Sequence, residues 1–100
     1  MTDKVLEPVH PGEVLLEEYL APLSITPYAL AAALHVPRTR IERLVREQTP
    51  VTVDTALRLA RYFGTSPEFW LRIQAQFDIE TAQDELDDDI ASIEPLKKRV

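Results

Sequence analysis

The stretch ALAAALHVPRTRIERLVRE, residues 29–47, decides how the chain is read. It joins an alanine-rich helical run to an arginine-rich one through only His35, Val36 and Pro37. A turn this short between two short helices is what a helix-turn-helix requires, because the first helix must brace the second across a DNA backbone. A glycine often occupies the bend. Here the corresponding residue is His35, and histidine is among the non-glycine residues enriched at positive φ. The same pattern fits a helical hairpin inside any small bundle, so the side chains have to decide.

They are distributed unevenly. On a helical wheel of about 100° per residue, Ile41, Leu44 and Val45 form one apolar face. Thr39, Arg43 and Arg46 fall within about 35° of the opposite pole, Arg40 flanks them, and Arg38 lies nearer the buried side, in the first turn, where it can reach around the helix end. A helix built this way can lie in a major groove, its early residues reading base edges and its later arginines meeting phosphates. An ordinary solvated surface, helped by a Glu42–Arg46 pair at i, i+4, is the competing explanation.

The net charge of -6 over 100 residues argues at first sight against nucleic acid. From Pro37 to Arg61, however, six arginines stand against three acids, a local charge of +3 that leaves -9 for the rest. Screening over about 8 Å in physiological salt keeps a distant acidic segment from cancelling a basic face at its own surface. Local charge decides.

The remaining chain reads as all-α, one small domain of 45% hydrophobic residues with two glycines and no cysteine. That composition excludes disulfides, thiolate catalysis and cysteine-ligated zinc. Leu16, Leu20 and Leu23 predict a first helix over about 12–20, with Pro22 helping to stop it. Thr26-Pro27 opens the second helix, which runs to Leu34, and the third spans about 38–47. Thr52 caps a fourth that ends near Gly64. Ser66-Pro67 starts a fifth, with Phe69, Trp70, Ile73 and Phe77 on one side and a core stripe that ends near Phe77 and Ile79. The organisation expected is an N-terminal arm over 1–10, a five-helix domain over 11–80, and a charged extension over 81–100, acidic in QDELDDDIAS and basic at its end. No apolar run suggests a signal peptide or a membrane span, so the expected location is cytoplasmic.

His10, Glu13 and Glu17 could be drawn as a metal cluster, but zinc prefers nitrogen and sulfur donors and there is no second histidine nearby. No catalytic triad pattern or glycine-rich phosphate loop occurs, so neither an enzyme nor a cofactor is expected. A single recognition helix reads few bases, which predicts a twofold dimer with Phe69, Trp70, Leu71 and Ile73 of the fifth helix at its interface.

The segments HPGEVLLEEYLAPL, ALAAALHVPRTRI and TPVTVDTALRLARYFGTSPEFWLRIQAQFD, together covering His10 to about Asp78, resemble the HigA-type or VapI-like antitoxins of the Cro/C1 helix-turn-helix group. That resemblance implies a lambda repressor-like, five-helix domain, dimeric on operator DNA, that represses its own operon and neutralises a RelE-like mRNA endoribonuclease toxin. It carries base-contact roles to Arg38, Thr39 and Arg43 and phosphate roles to Arg40 and Arg46. Many relatives have a glycine-lysine pair after the recognition helix where this chain has Glu47-Gln48, and Arg58 or Arg61 could compensate. The toxin-binding surface is left open by the sequence. A helical protein-interaction bundle, or a stand-alone repressor without a toxin, are the other readings of the same residues.

Overall fold

The computed structural model describes residues 7–97. Residues 1–6 of the expected arm and 98–100 of the expected extension lie outside them. The described residues form five helices and no strand, the all-α architecture expected.

The first helix, α1, covers 11–23 in three pieces: an α turn Pro11–Val14, a π-helical stretch Leu15–Leu20 and a closing α turn Ala21–Leu23. The sequence suggested a stop near Leu20. Instead the helix widens ahead of Pro22, with the Ala21 N–H bonded to the Leu16 carbonyl, and runs on to Leu23. A π-helical turn relieves the clash that a proline ring makes with the carbonyl four residues back. Ser24, in the left-handed conformation at φ 56°, then ends it.

The second helix, α2, is Pro27–Leu34, capped by the Thr26 hydroxyl, which accepts from the Ala29 N–H at 3.0 Å. The third, α3, is Arg38–Val45, and the fourth, α4, is Val53–Phe63, capped by Thr52. The fifth, α5, runs Pro67–Ala91. It does not end with its core stripe near Phe77. Residues 78–91 contain no glycine or proline to stop a helix, although aspartate, a weak helix former, is their commonest residue. Side-chain hydrogen bonds from Gln74 to Asp78 and from Gln76 to Glu80, each at i, i+4, carry the helix past the domain.

The core gathers Leu15, Leu20, Leu30, Leu34, Ile41, Leu44, Val51, Leu59 and Trp70, all buried. Trp70 is fully enclosed, and its indole N–H donates to Thr65 Oγ1 at 2.8 Å, so its polar atom is satisfied. Two details place α3. Gly12 lies against the α3 backbone so closely that a Cβ there would sit 1.8 Å from the Leu44 carbonyl oxygen. Buried Gln74 accepts the Val51 N–H at 2.7 Å and so anchors the segment leaving α3.

Candidate nucleic-acid interface

The bend between α2 and α3 forms as the short connection predicts. His35 takes φ 61°, ψ 45°, its N–H bonded to the Ala32 carbonyl and that of Val36 to Ala31. This pair of bonds is a helix-terminating motif usually built on glycine. Pro37 is extended and leads into α3 without a side-chain cap. The Arg40 N–H bonds the Pro37 carbonyl at 3.0 Å, which leaves the Arg38 and Thr39 N–H groups at the start of α3 without a side-chain cap. At the far end Glu47 takes φ 62°, with Glu47 N–H bonded to Leu44 O and Gln48 N–H to Arg43 O. Glu47 thus fills a left-handed position of the kind that ordinarily favours glycine.

The burial of α3 follows the wheel. Ile41 and Leu44 face the core, while Arg38, Thr39, Arg43 and Arg46 are exposed. Among the described residues, Arg43 and Arg46 make no ion pair. Glu42 pairs with Arg38 at 3.3 Å rather than with Arg46. The Arg38 guanidinium also lies 5.9 Å from the centroid of the Tyr28 ring on α2, within cation–π reach. Arg38 thereby sits at the open edge of the helix pair, not toward the buried side.

Arg40 is placed differently from its neighbours. Its guanidinium pairs with Asp54 in the first turn of α4. The same Asp54 oxygen accepts from Arg58 Nε at 3.0 Å. Hydrogen bonds from Arg58 and Arg40, in that order, hold the Asp54 carboxyl below the usual carboxylate range. Arg58 Nη1 donates in turn to the Leu34 carbonyl at 2.8 Å, at the C-terminus of α2. Arg58 is therefore half-buried and clamps the bend, whereas Arg61 is exposed. The Asp54–Arg58 spacing of four residues was visible as a possible helix pair; the reach of Arg58 to α2 was not. A shallow cleft beside α3, lined by Thr39, Arg40, Arg43, Thr49, Thr52 and Thr55, completes the polar face.

The other sequence candidates separate cleanly. His10 is buried, its Nδ1 accepts the Gly12 N–H at 2.8 Å as the cap of α1, and its ring meets the Phe77 ring edge-on at 4.8 Å. Burial, the largest influence, lowers its pKa against the opposing pull of Glu47 and Asp78. The imidazole is thus committed to the fold, which accounts for its place in HPGE: cap, helix-starting proline, close-packing glycine, and an acid at the helix N-terminus. Of the four residues expected at a dimer interface, Trp70 has no surface to give a second chain, being wholly inside its own core. Phe69, Leu71 and Ile73 are half-buried and retain some. Beyond them, Ile79, Leu86 and Ile90 are exposed on the outer part of α5. No helix among the described residues is long and apolar enough to cross a membrane.

Residues 16–70, which run from within α1 to the start of α5, match the helix-turn-helix family model. Virulence-associated protein I of Dichelobacter nodosus is 52% identical over 75 residues, covering 75% of this chain and 69% of that protein. Antitoxin HigA-1 of Vibrio cholerae is 36% identical over 89 residues, covering 89% and 84%. The structure of Pseudomonas aeruginosa antitoxin HigA with the higBA promoter superposes with a TM-score of 0.86 at 43% identity, over 90% of this chain and 99% of that one.

Proposed function

The chain belongs to the helix-turn-helix family, in its HigA-type branch, and from that premise we propose that it binds operator DNA as a dimer, represses its own operon and neutralises a RelE-like toxin in the cytoplasm. The observation that carries the DNA half is the outer face of α3, where Thr39, Arg43 and Arg46 stand exposed opposite buried Ile41 and Leu44. Arg38, Thr39 and Arg43 contact bases in this reading, and Arg46, just past the helix, contacts phosphate. The dimer draws on the surface that Phe69, Leu71 and Ile73 leave open. Support for the antitoxin half comes from the HigA relatives and from the outer part of α5, which has six acidic residues and no basic one between Ile79 and Ala91. A ribonuclease must attract RNA, so an acidic surface suits it as a partner.

The test is binding to the chain's own upstream DNA against a scrambled duplex. Arg43→Ala is expected to cost about 1–3 kcal/mol on the operator and to relax preference at one base pair, whereas Arg46→Ala weakens both duplexes alike. Equal losses on the two duplexes for Arg43→Ala would remove base reading from that residue. Absence of any operator preference in the wild type would leave the protein-interaction bundle as the better account, since such a bundle has no reason to prefer one duplex.

A further inference from the structure

The ion-pair network at the front of α4 carries an inference that rests on the DNA-binding reading and reassigns one of its arginines. Asp54 Oδ2 is shared between Arg40 of α3 and Arg58 of α4, and Arg58 continues to the Leu34 carbonyl of α2. One carboxylate therefore ties together the supporting helix, the recognition helix and α4. The backbone of α3 packs on α2 and on the first turn of α1. Among the described residues, the polar ties between α3 and α4 all come from Arg40, to Asp54 and, at 3.5 Å, to Thr55 Oγ1. Arg43 and Arg46 have no comparable partner there. A guanidinium already neutralised by a carboxylate releases no counterion from DNA, so it adds nothing to the salt-dependent part of binding.

We propose that Asp54 is a positioning residue that withholds Arg40 from the phosphate backbone and uses it to set the angle of α3, so that Arg40 serves sequence selectivity rather than general affinity. Loss of the pair frees α3 to tilt, which misplaces Thr39 and Arg43 against base edges. Loss of the carboxylate alone also leaves Arg40 and Arg58 as adjacent like charges, and Arg40 turns outward to the nearest phosphate.

Salt titrations of the full chain on operator and scrambled duplexes test this, with Arg40→Gln, Asp54→Asn and the double variant. A phosphate contact contributes about 0.9 to the slope of log affinity against log salt, or about 3.5-fold in affinity over a fourfold change in salt. Arg40→Gln is expected to leave the slope unchanged while the operator-to-scrambled ratio falls at least about five-fold, the lower end of one misplaced base contact. Asp54→Asn is expected to steepen the slope by about 0.9, and the double variant to return it to the wild-type value. A slope reduced by about 0.9 in Arg40→Gln with selectivity intact would overturn the proposal, as would an unchanged slope in Asp54→Asn. Both side chains are exposed, so the variants are expected to fold; if Asp54→Asn did not, the Arg40→Gln slope decides alone. A wild type without operator preference sinks the operator reading instead, and the slope on scrambled duplex still assigns Arg40.

Discussion

The recognition helix α3 and the outer part of α5 are both exposed and both charged, yet they are held in opposite ways. Behind α3 stand Ile41 and Leu44 in the core, the Gly12 backbone against Leu44, and the Arg40–Asp54 pair. Behind residues 81–91 stands nothing but the helix itself, and every side chain there is exposed. In the proposed function α3 reads base edges, and such a helix must keep its side chains in register with the groove, which rigid backing provides. An acidic helix that meets a partner through charge and a few apolar anchors has no such need before it binds. Exposure and charge are shared by the two regions; what differs is the support.

The largest expected effect attacks that support. Gly12→Ala forces a methyl group to within 1.8 Å of the Leu44 carbonyl unless α1 and α3 separate. Backbone, not a flexible side chain, is in the way. Overpacking of this kind costs typically 1–3 kcal/mol and more where backbone must move, so we expect a loss near the upper end, about 3 kcal/mol, or a fall in Tm of roughly 12 °C or more. Thermal unfolding by circular dichroism measures it. A variant that melts within about 3 °C of the wild type would show that α3 does not depend on the α1 contact.

A smaller effect concerns the cap behind the same contact. The folded state resists protonation of His10, because the ring is buried and its Nδ1 must stay unprotonated to accept the Gly12 N–H. The unfolded chain takes up that proton near the ordinary value of about 6.5. Stability contributed by the neutral ring is therefore complete above about 6.5 and is lost as pH falls from there toward the depressed folded pKa. Glu47, after α3, and Asp78, on α5, oppose the shift without reversing it. His10→Asn keeps a capping side chain and costs about 1 kcal/mol at pH 7.5 through the lost Phe77 contact. It is expected to flatten the dependence of Tm on pH between 7.5 and 5. An Asn variant as pH-sensitive as the wild type would place the titration elsewhere.

These same contacts mark where sequence reading stops. The exposed and buried faces of α3 could be placed by periodicity, because Ile41, Leu44 and the arginines lie within nine consecutive residues made up of one regular helix and its C-terminal cap. The bend at His35 was readable for the same local reason. Arg40 appeared on the wheel only as a flanking residue. Its partner, Asp54, lies 14 positions away on another helix, and nothing local distinguishes an arginine that faces solvent from one that finds a carboxylate across a turn. Gly12 likewise looks like any helix-start glycine until α3 is laid against it. Two further limits are of a different sort: Pro22 reads as a stop signal although a helix can widen around a proline, and the core stripe of α5 marks where packing ends, not where the helix does.

The smallest expected effect on stability belongs to the outer part of α5, and it sharpens the comparison most. Deleting residues 84–100 removes side chains that are exposed wherever they are described, from Asp84 to Lys97, so the core loses no buried group. Surface changes of this kind fall within about 0.5 kcal/mol, and Tm is expected to move by less than about 4 °C. Operator binding is expected to persist, because α3 and its supports lie wholly within residues 11–78. In the proposed antitoxin role, protection of cells from a co-expressed RelE-like toxin is expected to fail, and the complex of the full chain with such a toxin is expected to weaken as salt rises if the six acids of α5 carry the contact. A truncated chain that still protects would break the division of labour between the two regions. The toxin contact would then have to sit on the packed domain, with the exposed Glu17-Glu18 pair of α1 as the next acidic surface to remove.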